Sequence, residues 1–198
     1  MNPGIRYLCD FMAKFTRVST ASLLLTVLIG CAAKNTPTQQ FYTLQSLDSD
    51  KRPSQGSVGV SEPELIFTRV TVPSYLNQTG IITADIDGKI EWANYHLWAE
   101  LPAVAIKRYL ERCVLNDASS ERRQQRIDIE IHRFQGDGKG GVIFDGIWSK
   151  HNVDDGTALG TYIFEYRQPQ RGDGYGPLAT ALSQTVEQLC IDIQNKTL

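Results

Sequence analysis

The most regular pattern in the chain is the alternation of apolar and polar side chains over residues 126–134. Isoleucine stands at every second position, with charged or imidazole side chains between, in the order Ile127, Asp128, Ile129, Glu130, Ile131 and His132. Successive side chains of a strand point to opposite faces of a sheet. This segment therefore predicts a strand with one face in the core and one face in water.

Other segments predict further strands and a hairpin. Short apolar stretches predict strands at 41–44, 65–72, 142–148 and 158–166. Residues 80–85 and 89–92 flank Asp87-Gly88, a pair that favours tight hairpin turns. The glycine-rich residues 136–141 lie between two predicted strands, which favours a hairpin tip over a phosphate-binding loop, because such a loop leads into a helix.

Two segments have the helical period instead. From about Ala99 to Asn116, apolar residues recur at every third or fourth position, and the same holds from Leu178 to Ile193. Pro177 is predicted at the first position of the second helix, where proline is favoured. Together these elements predict an α/β fold, a single domain with a mixed sheet of about five strands, an extra hairpin, and two amphipathic helices packed on the sheet.

The first thirty residues have the pattern of an export signal. Basic residues precede the apolar run 21–29, which ends at Gly30 and Cys31. About nine residues is roughly half the ~20 that a helix needs to span a membrane, so the run predicts a secretory signal rather than a permanent anchor. Either Met1 or Met12 fits as the start.

Leu28-Ile29-Gly30-Cys31 resembles the lipobox of bacterial lipoproteins. The resemblance implies that signal peptidase II cuts between Gly30 and Cys31, and that the Cys31 thiol takes a diacylglyceryl group. Ala32 stands where an inner-membrane retention signal usually has Asp, which implies the outer membrane. The alternative is a buried cysteine that follows an ordinary signal peptide. The predicted organisation is a removed signal at 1–30, a lipidated tether at 31–40 and a periplasmic domain at 41–198.

Composition narrows the function classes. The chain has 198 residues, 41% of them hydrophobic, which is enough for one domain with a core. Lys and Arg number 20 against 22 Asp and Glu, a net charge of -2, so the electrostatic signature of a nucleic-acid partner is missing.

We find no catalytic or metal-binding constellation in the sequence. The three histidines are dispersed, and none lies near a nucleophile motif. Asp85-x-Asp87-Gly88 matches the start of a calcium loop, but Trp92 and Ala93 stand where later ligands belong. We expect neither enzymatic activity nor a cofactor, apart from the covalent lipid on Cys31.

Cys113 and Cys190 form a candidate disulfide. After export and lipidation of Cys31, they are the two remaining thiols of the mature chain, and disulfides persist in an oxidising periplasm. Each lies on or beside the apolar face of its predicted helix, toward the C-terminal end. The alternative is two separately buried free cysteines that pack as small apolar residues.

Four aromatic residues, Tyr75, Trp92, Tyr95 and Trp98, lie close together in sequence around the predicted hairpin. One interpretation is that these rings cover the core beneath the hairpin. The other is a partner-binding patch, since Trp and Tyr are frequent at interface hot spots. The sequence leaves both open.

A family resemblance rests on four segments in order: Phe41-Tyr42-Thr43-Leu44, Val70 to Leu76, Trp98 to Pro102, and Arg108-Tyr109-Leu110. They resemble the ABC-type transport auxiliary lipoproteins, the family of paraquat-inducible protein C. This chain departs from the usual pattern at Leu97, where the family has a basic residue, and at Leu101-Pro102, where the order is reversed.

The resemblance implies a non-catalytic outer-membrane lipoprotein that faces the periplasm. It implies a partner, an MCE-domain (PqiB-like) protein that crosses the periplasm and moves lipids between membranes. The alternatives are an envelope-integrity lipoprotein without a transport partner and, more distantly, a periplasmic enzyme. Lipid cargo, transport direction and homo-oligomer formation stay open.

Overall fold

The alternating segment forms the central strand, β5 (Gln125–Gly136), of a mixed sheet. The computed structural model describes residues 37–44, 65–115 and 125–197. The predicted signal, Cys31 and most of the predicted tether lie outside these residues. The folded unit is Thr38–Leu198.

Seven strands and two α-helices make up the described residues. The strands before the first helix are β1 (Gln40–Tyr42), β2 (Leu65–Thr71), β3 (Gly80–Ala84) and β4 (Ile90–Trp98), with a 3-10 turn, Ser74–Leu76, before β3. After α1 (Pro102–Leu115) come β5, β6 (Gly141–Asn152), β7 (Ala158–Pro169) and α2 (Tyr175–Thr197).

The strands form one sheet in the order β1-β4-β3-β5-β6-β7, with β2 also paired to β5. β5, β6 and β7 are antiparallel neighbours, whereas β2 runs parallel to β5 and β1 parallel to β4. The mixed sheet and the two helices confirm the predicted fold class. The hairpin that we expected as an extra feature belongs to the sheet, because β3 pairs with β5 at Thr83 and Gly136.

The core lies between the sheet and the helices. α1 packs on β2, α2 packs across β5, β6 and β7, and the two helices contact each other. Ile127, Ile129 and Ile131 are fully buried on this side, as their alternation predicts. The opposite face carries charged side chains, among them Arg133 and Asp145 joined by paired hydrogen bonds.

Both helices begin at residues other than the predicted ones. α2 begins at Tyr175, so Pro177 is its third residue and not its first. A helix leaves the first four N–H groups without an intrahelical partner, so proline costs no hydrogen bond at either position. α1 begins at Pro102, three residues after the predicted start at Ala99.

Candidate functional site: an aromatic surface on the β3–β4 hairpin

The β3–β4 hairpin is closed by a tight turn that uses its own carboxylate. Asp85 Oδ1 accepts hydrogen bonds from the backbone N–H groups of Asp87, at 3.0 Å, and Lys89, at 2.7 Å. Gly88 has a φ of 81°, a conformation that glycine adopts without strain. The Asp85 carboxylate therefore stabilises the turn that the pair Asp87-Gly88 predicts.

An irregularity in β4 determines which aromatic side chains reach the surface. Ile82 pairs with Trp92 and Gly80 pairs with Leu97, so residues 93–96 lie opposite the single residue Ile81. A Cβ on Gly80 would lie 2.9 Å from the carbonyl oxygen of Ala93. The bulge therefore needs glycine at position 80. This role was not predicted, although a glycine at the start of a strand can indicate a bulge or a close backbone approach.

Trp92 and Tyr95 are both exposed because the bulge interrupts the alternation of β4. Their relative exposures are 46% and 41%, whereas Ala93 between them is buried. The indole N–H of Trp92 donates to the carbonyl oxygen of Tyr75 at 3.1 Å. This hydrogen bond ties the indole to the 3-10 turn and leaves the ring partly open to solvent.

Tyr75 connects that turn to the central strand. Its hydroxyl donates to the carbonyl oxygen of His132 at 2.8 Å and lies 3.3 Å from Gln135 Oε1. Partial burial, and secondarily the charge of Asp145, raise the pKa of the Tyr75 hydroxyl above its ordinary value. The hydroxyl stays protonated at neutral pH and can keep donating, so the turn beneath Trp92 is held in place.

Trp98 separates from the other three aromatic residues. Its exposure is 3%, and its ring stacks on Phe134 with the centroids 5.7 Å apart. This corrects its place among candidate partner contacts, because a side chain in the core cannot meet a partner. We define the aromatic surface as Tyr75, Trp92 and Tyr95.

A groove of about 280 Å³ lies between β1 and the first turns of α2, lined in part by Phe41, Tyr42, Thr180 and Ser183. Beside it, His96 stacks on Tyr175 with centroids 4.2 Å apart, and His96 Nδ1 lies 2.9 Å from the Tyr42 hydroxyl. Local sequence patterns do not reveal this groove, because it forms between segments over 130 residues apart. Among the residues that the structure describes, its lining includes no carboxylate, lysine or histidine.

Cys113 on α1 and Cys190 on α2 form a disulfide, with their Cα atoms 6.5 Å apart. This distance is within the range that disulfides span. The Gln194 amide donates to the carbonyl oxygen of Cys113 at 3.4 Å. The two helices are thus joined near their C-terminal ends, on the side of the sheet that carries the core.

The remaining candidate positions, Gly30 and Cys31, lie outside the described residues. Within residues 37–44, 65–115 and 125–197, no group of three or more His, Cys, Asp or Glu side chains is placed to hold a metal ion. No helix in this part of the chain is both long and apolar enough to cross a membrane.

Two solved structures share the fold. An uncharacterized protein has a TM-score of 0.62 at 20% identity, covering 80% of this chain and 98% of its own. A protein from Xanthomonas campestris has a TM-score of 0.59 at 13% identity, covering 80% of this chain and 85% of its own. No curated protein matches the sequence.

The family comparison covers most of the folded unit. The sequence profile described as the ABC-type transport auxiliary lipoprotein component matches residues 42–194, from β1 to the last turns of α2. The matched range includes strands β2 to β7, α1, most of α2 and the aromatic surface. The chain therefore belongs to the family of ABC-type transport auxiliary lipoprotein components.

Proposed function

We propose that this protein is a non-catalytic docking component of an intermembrane lipid transport system. A lipid on Cys31 anchors it in the outer membrane, facing the periplasm, and it binds a periplasm-spanning MCE-domain (PqiB-like) protein through the aromatic surface. The family description, an auxiliary component of ABC-type transport, supports the general role. The lipobox supports the anchor.

The observation that carries the docking role is the fixed, exposed indole of Trp92. Its hydrogen bond to Tyr75 restricts the ring before any partner arrives, so binding costs less side-chain entropy. Tyr95 extends the exposed apolar area on the same strand. The indole N–H and the Tyr75 hydroxyl already have acceptors, so the surface offers ring faces suited to packing.

The position of β1 is compatible with this role. β1 begins at Gln40, nine residues after Cys31, and nine residues span at most about 30 Å when extended. An anchor at Cys31 would therefore keep the folded unit close to the membrane. A docking component needs this property when its partner arrives from across the periplasm.

The test is capture of the MCE-domain partner by the lipidated full-length protein. The partner is first identified by crosslinking and affinity purification from the native envelope. Trp92→Ala and Tyr95→Ala are then compared with wild type. An interface hot spot contributes about 2 kcal/mol or more, so at least one variant should bind roughly thirtyfold more weakly.

Ile191→Ala is the matched control, because Ile191 is an exposed apolar residue on α2, away from the hairpin. It should bind like wild type, and circular dichroism should show all variants folded. Normal binding by both aromatic variants would refute the docking surface. Recovery of no MCE-domain protein from the envelope would favour the envelope-integrity alternative.

A further inference from the structure

Three exposed apolar side chains lie where β1 meets the start of α1. Phe41, Leu101 and Val104 have relative exposures of 63%, 38% and 51%. The Ala99 N–H donates to the carbonyl oxygen of Tyr42, the neighbour of Phe41, at 2.8 Å, and the Val104 N–H donates to the carbonyl oxygen of Leu101 at 3.0 Å. These two hydrogen bonds bring the three positions to one region of the surface, which we call the β1–α1 patch.

The groove between β1 and α2 borders this patch. Phe41 is one of its lining residues, together with Thr43 and, on α2, Ala179 and Thr180. The described residues that line the groove are uncharged, and the first turns of α1 and α2 contain no acidic residue. This part of the surface therefore offers apolar and small side chains, with no carboxylate that would repel an anionic headgroup.

The charged residues around the patch on α1 are mostly basic. This stretch has three basic side chains, Lys107, Arg108 and Arg112, against Glu100 and Glu111, in a chain whose net charge is -2. Both acidic side chains are in ion pairs, Glu100 with Arg108 and Glu111 with Lys107. Long basic side chains can lay their stems along apolar surface while the charged ends reach phosphate groups. Apolar residues beside such side chains are typical of a helix that lies on a membrane surface.

We propose that the β1–α1 patch lies on the phospholipid surface of the membrane, with its three apolar side chains in the headgroup region. This contact rests on the proposed lipid anchor at Cys31. Phe41 is ten residues after Cys31, and ten residues span at most about 36 Å when extended, so the patch is within reach of the membrane. Three side chains bury too little apolar area to hold the protein by themselves. The anchor raises their effective concentration at the surface, so a weak contact is sufficient.

The contact would set the orientation of the aromatic surface. β4 runs from the hairpin turn toward the patch, and Trp92 stands six residues before Trp98, the last residue of the strand. Strand residues rise by about 3.3 Å each, so Trp92 lies up to about 20 Å from the end of β4 that leads into the patch. With the patch against the membrane, the aromatic surface stays clear of the lipid and open to a partner. The tether limits the distance from the membrane, whereas the patch sets the orientation.

Fluorescence quenching in vesicles tests this contact. The lipidated full-length protein is reconstituted in vesicles of phosphatidylethanolamine and phosphatidylglycerol, with and without lipids that carry a doxyl quencher near the headgroup. A nitrobenzoxadiazole probe is attached to Phe41→Cys or to Val104→Cys, while the disulfide stays oxidised. Because an interfacial apolar side chain lies about 5–10 Å within the headgroup boundary, both probes should be quenched strongly. Ile86→Cys and Ile163→Cys are the matched controls, since both are exposed apolar residues, on the hairpin turn and on β7, and their quenching should be several times weaker.

A second variant tests whether the patch acts as a unit. Val104→Asp in the chain that carries the probe at Phe41 should lower the quenching, whereas Ile163→Asp in the same chain should leave it unchanged. Circular dichroism checks that each variant folds. Equally weak quenching at all four probe positions, in vesicles that hold the lipidated protein, overturns the proposal. So does a Phe41 probe that reports apolar surroundings in the Cys31→Ser chain without vesicles, because protein then covers the patch.

Mass spectrometry of the same preparation separates failure of the anchor from failure of the patch, because it shows whether Cys31 carries lipid. If the lipid is missing, the anchor of the proposed function is wrong. The chain from Ala32 onward is then held on nickel-chelating lipids through an N-terminal hexahistidine tag, which reproduces the length of the tether. Stronger quenching at Phe41 and Val104 than at the two control positions supports the patch there too, and equal quenching overturns it.

Discussion

Removing the link between Cys113 and Cys190 should lower the free energy of unfolding more than any surface substitution. The sequence separation of the bridged residues is 77. For a closed loop of this length, the chain-entropy description gives about 4.5 kcal/mol at 25 °C. Distortion of the native state subtracts from this figure, so we expect a loss of about 2 to 4.5 kcal/mol.

The assay is urea unfolding of the periplasmic domain, prepared by export, with and without dithiothreitol. Reduced wild type keeps both sulfur atoms in place, so its difference from oxidised wild type measures the link alone. Cys113→Ala and Cys190→Ala each remove the whole link. The double variant should therefore be little less stable than Cys190→Ala, a strongly non-additive result.

Cys190 is fully buried, whereas Cys113 is only partly buried. Reduced wild type and each alanine variant all lack the link, so the difference between their free energies of unfolding measures lost packing alone. This loss should be larger for Cys190→Ala. Two free thiols in denatured, unreduced protein from the periplasm would refute the disulfide. So would equal urea midpoints for oxidised and reduced wild type.

Four further results are expected. Labelled palmitate should enter the protein through Cys31, and Cys31→Ser should abolish labelling and release the domain from membranes; label that persists contradicts the lipobox. Trp98→Ala should lower the free energy of unfolding by about 3–5 kcal/mol, measured in urea; a midpoint equal to that of wild type would contradict its place in the core. Gly146→Ala should lower the free energy of unfolding by about 1–3 kcal/mol in the same assay, because a Cβ there would overlap the carbonyl oxygen of Glu130. Unchanged stability would contradict that close approach. Burial and the hydrogen bond to Asp192 raise the pKa of Tyr166 above its ordinary value. Unfolded tyrosine ionises near pH 10 while the folded group stays protonated, so the free energy of unfolding should fall as pH rises above about 10. Urea midpoints across this range should fall less steeply for Tyr166→Phe than for wild type. An identical profile would exclude this linkage.

In the described residues, local patterns in the sequence were sufficient for the type and order of the main strands and helices. The isoleucines of β5 alternate because one face of the strand is buried, and this periodicity is visible without any partner strand. The Asp-Gly turn of the β3–β4 hairpin is similarly local. The observed first residues of the two helices differ from the predicted ones by two or three positions, because the first turn of a helix has few backbone hydrogen bonds of its own.

The division of the four aromatic residues could not be read from their spacing. Trp92 and Trp98 are six residues apart on β4. In a regular strand, an even separation places two side chains on the same face. The bulge opposite Ile81 moves Trp98 into the core against Phe134 and leaves Trp92 outside. That bulge depends on the close approach of Gly80 to Ala93, a contact between two strands.

The sequence by itself determined the element types, the candidate lipid attachment and the family resemblance, because each depends on residues that are neighbours along the chain. Tertiary structure decided which aromatic rings are exposed, that the hairpin joins the main sheet, and that β7 lies at an edge of the sheet among the described strands. These properties depend on pairing and burial between distant segments. Composition and local periodicity do not specify which segments come into contact.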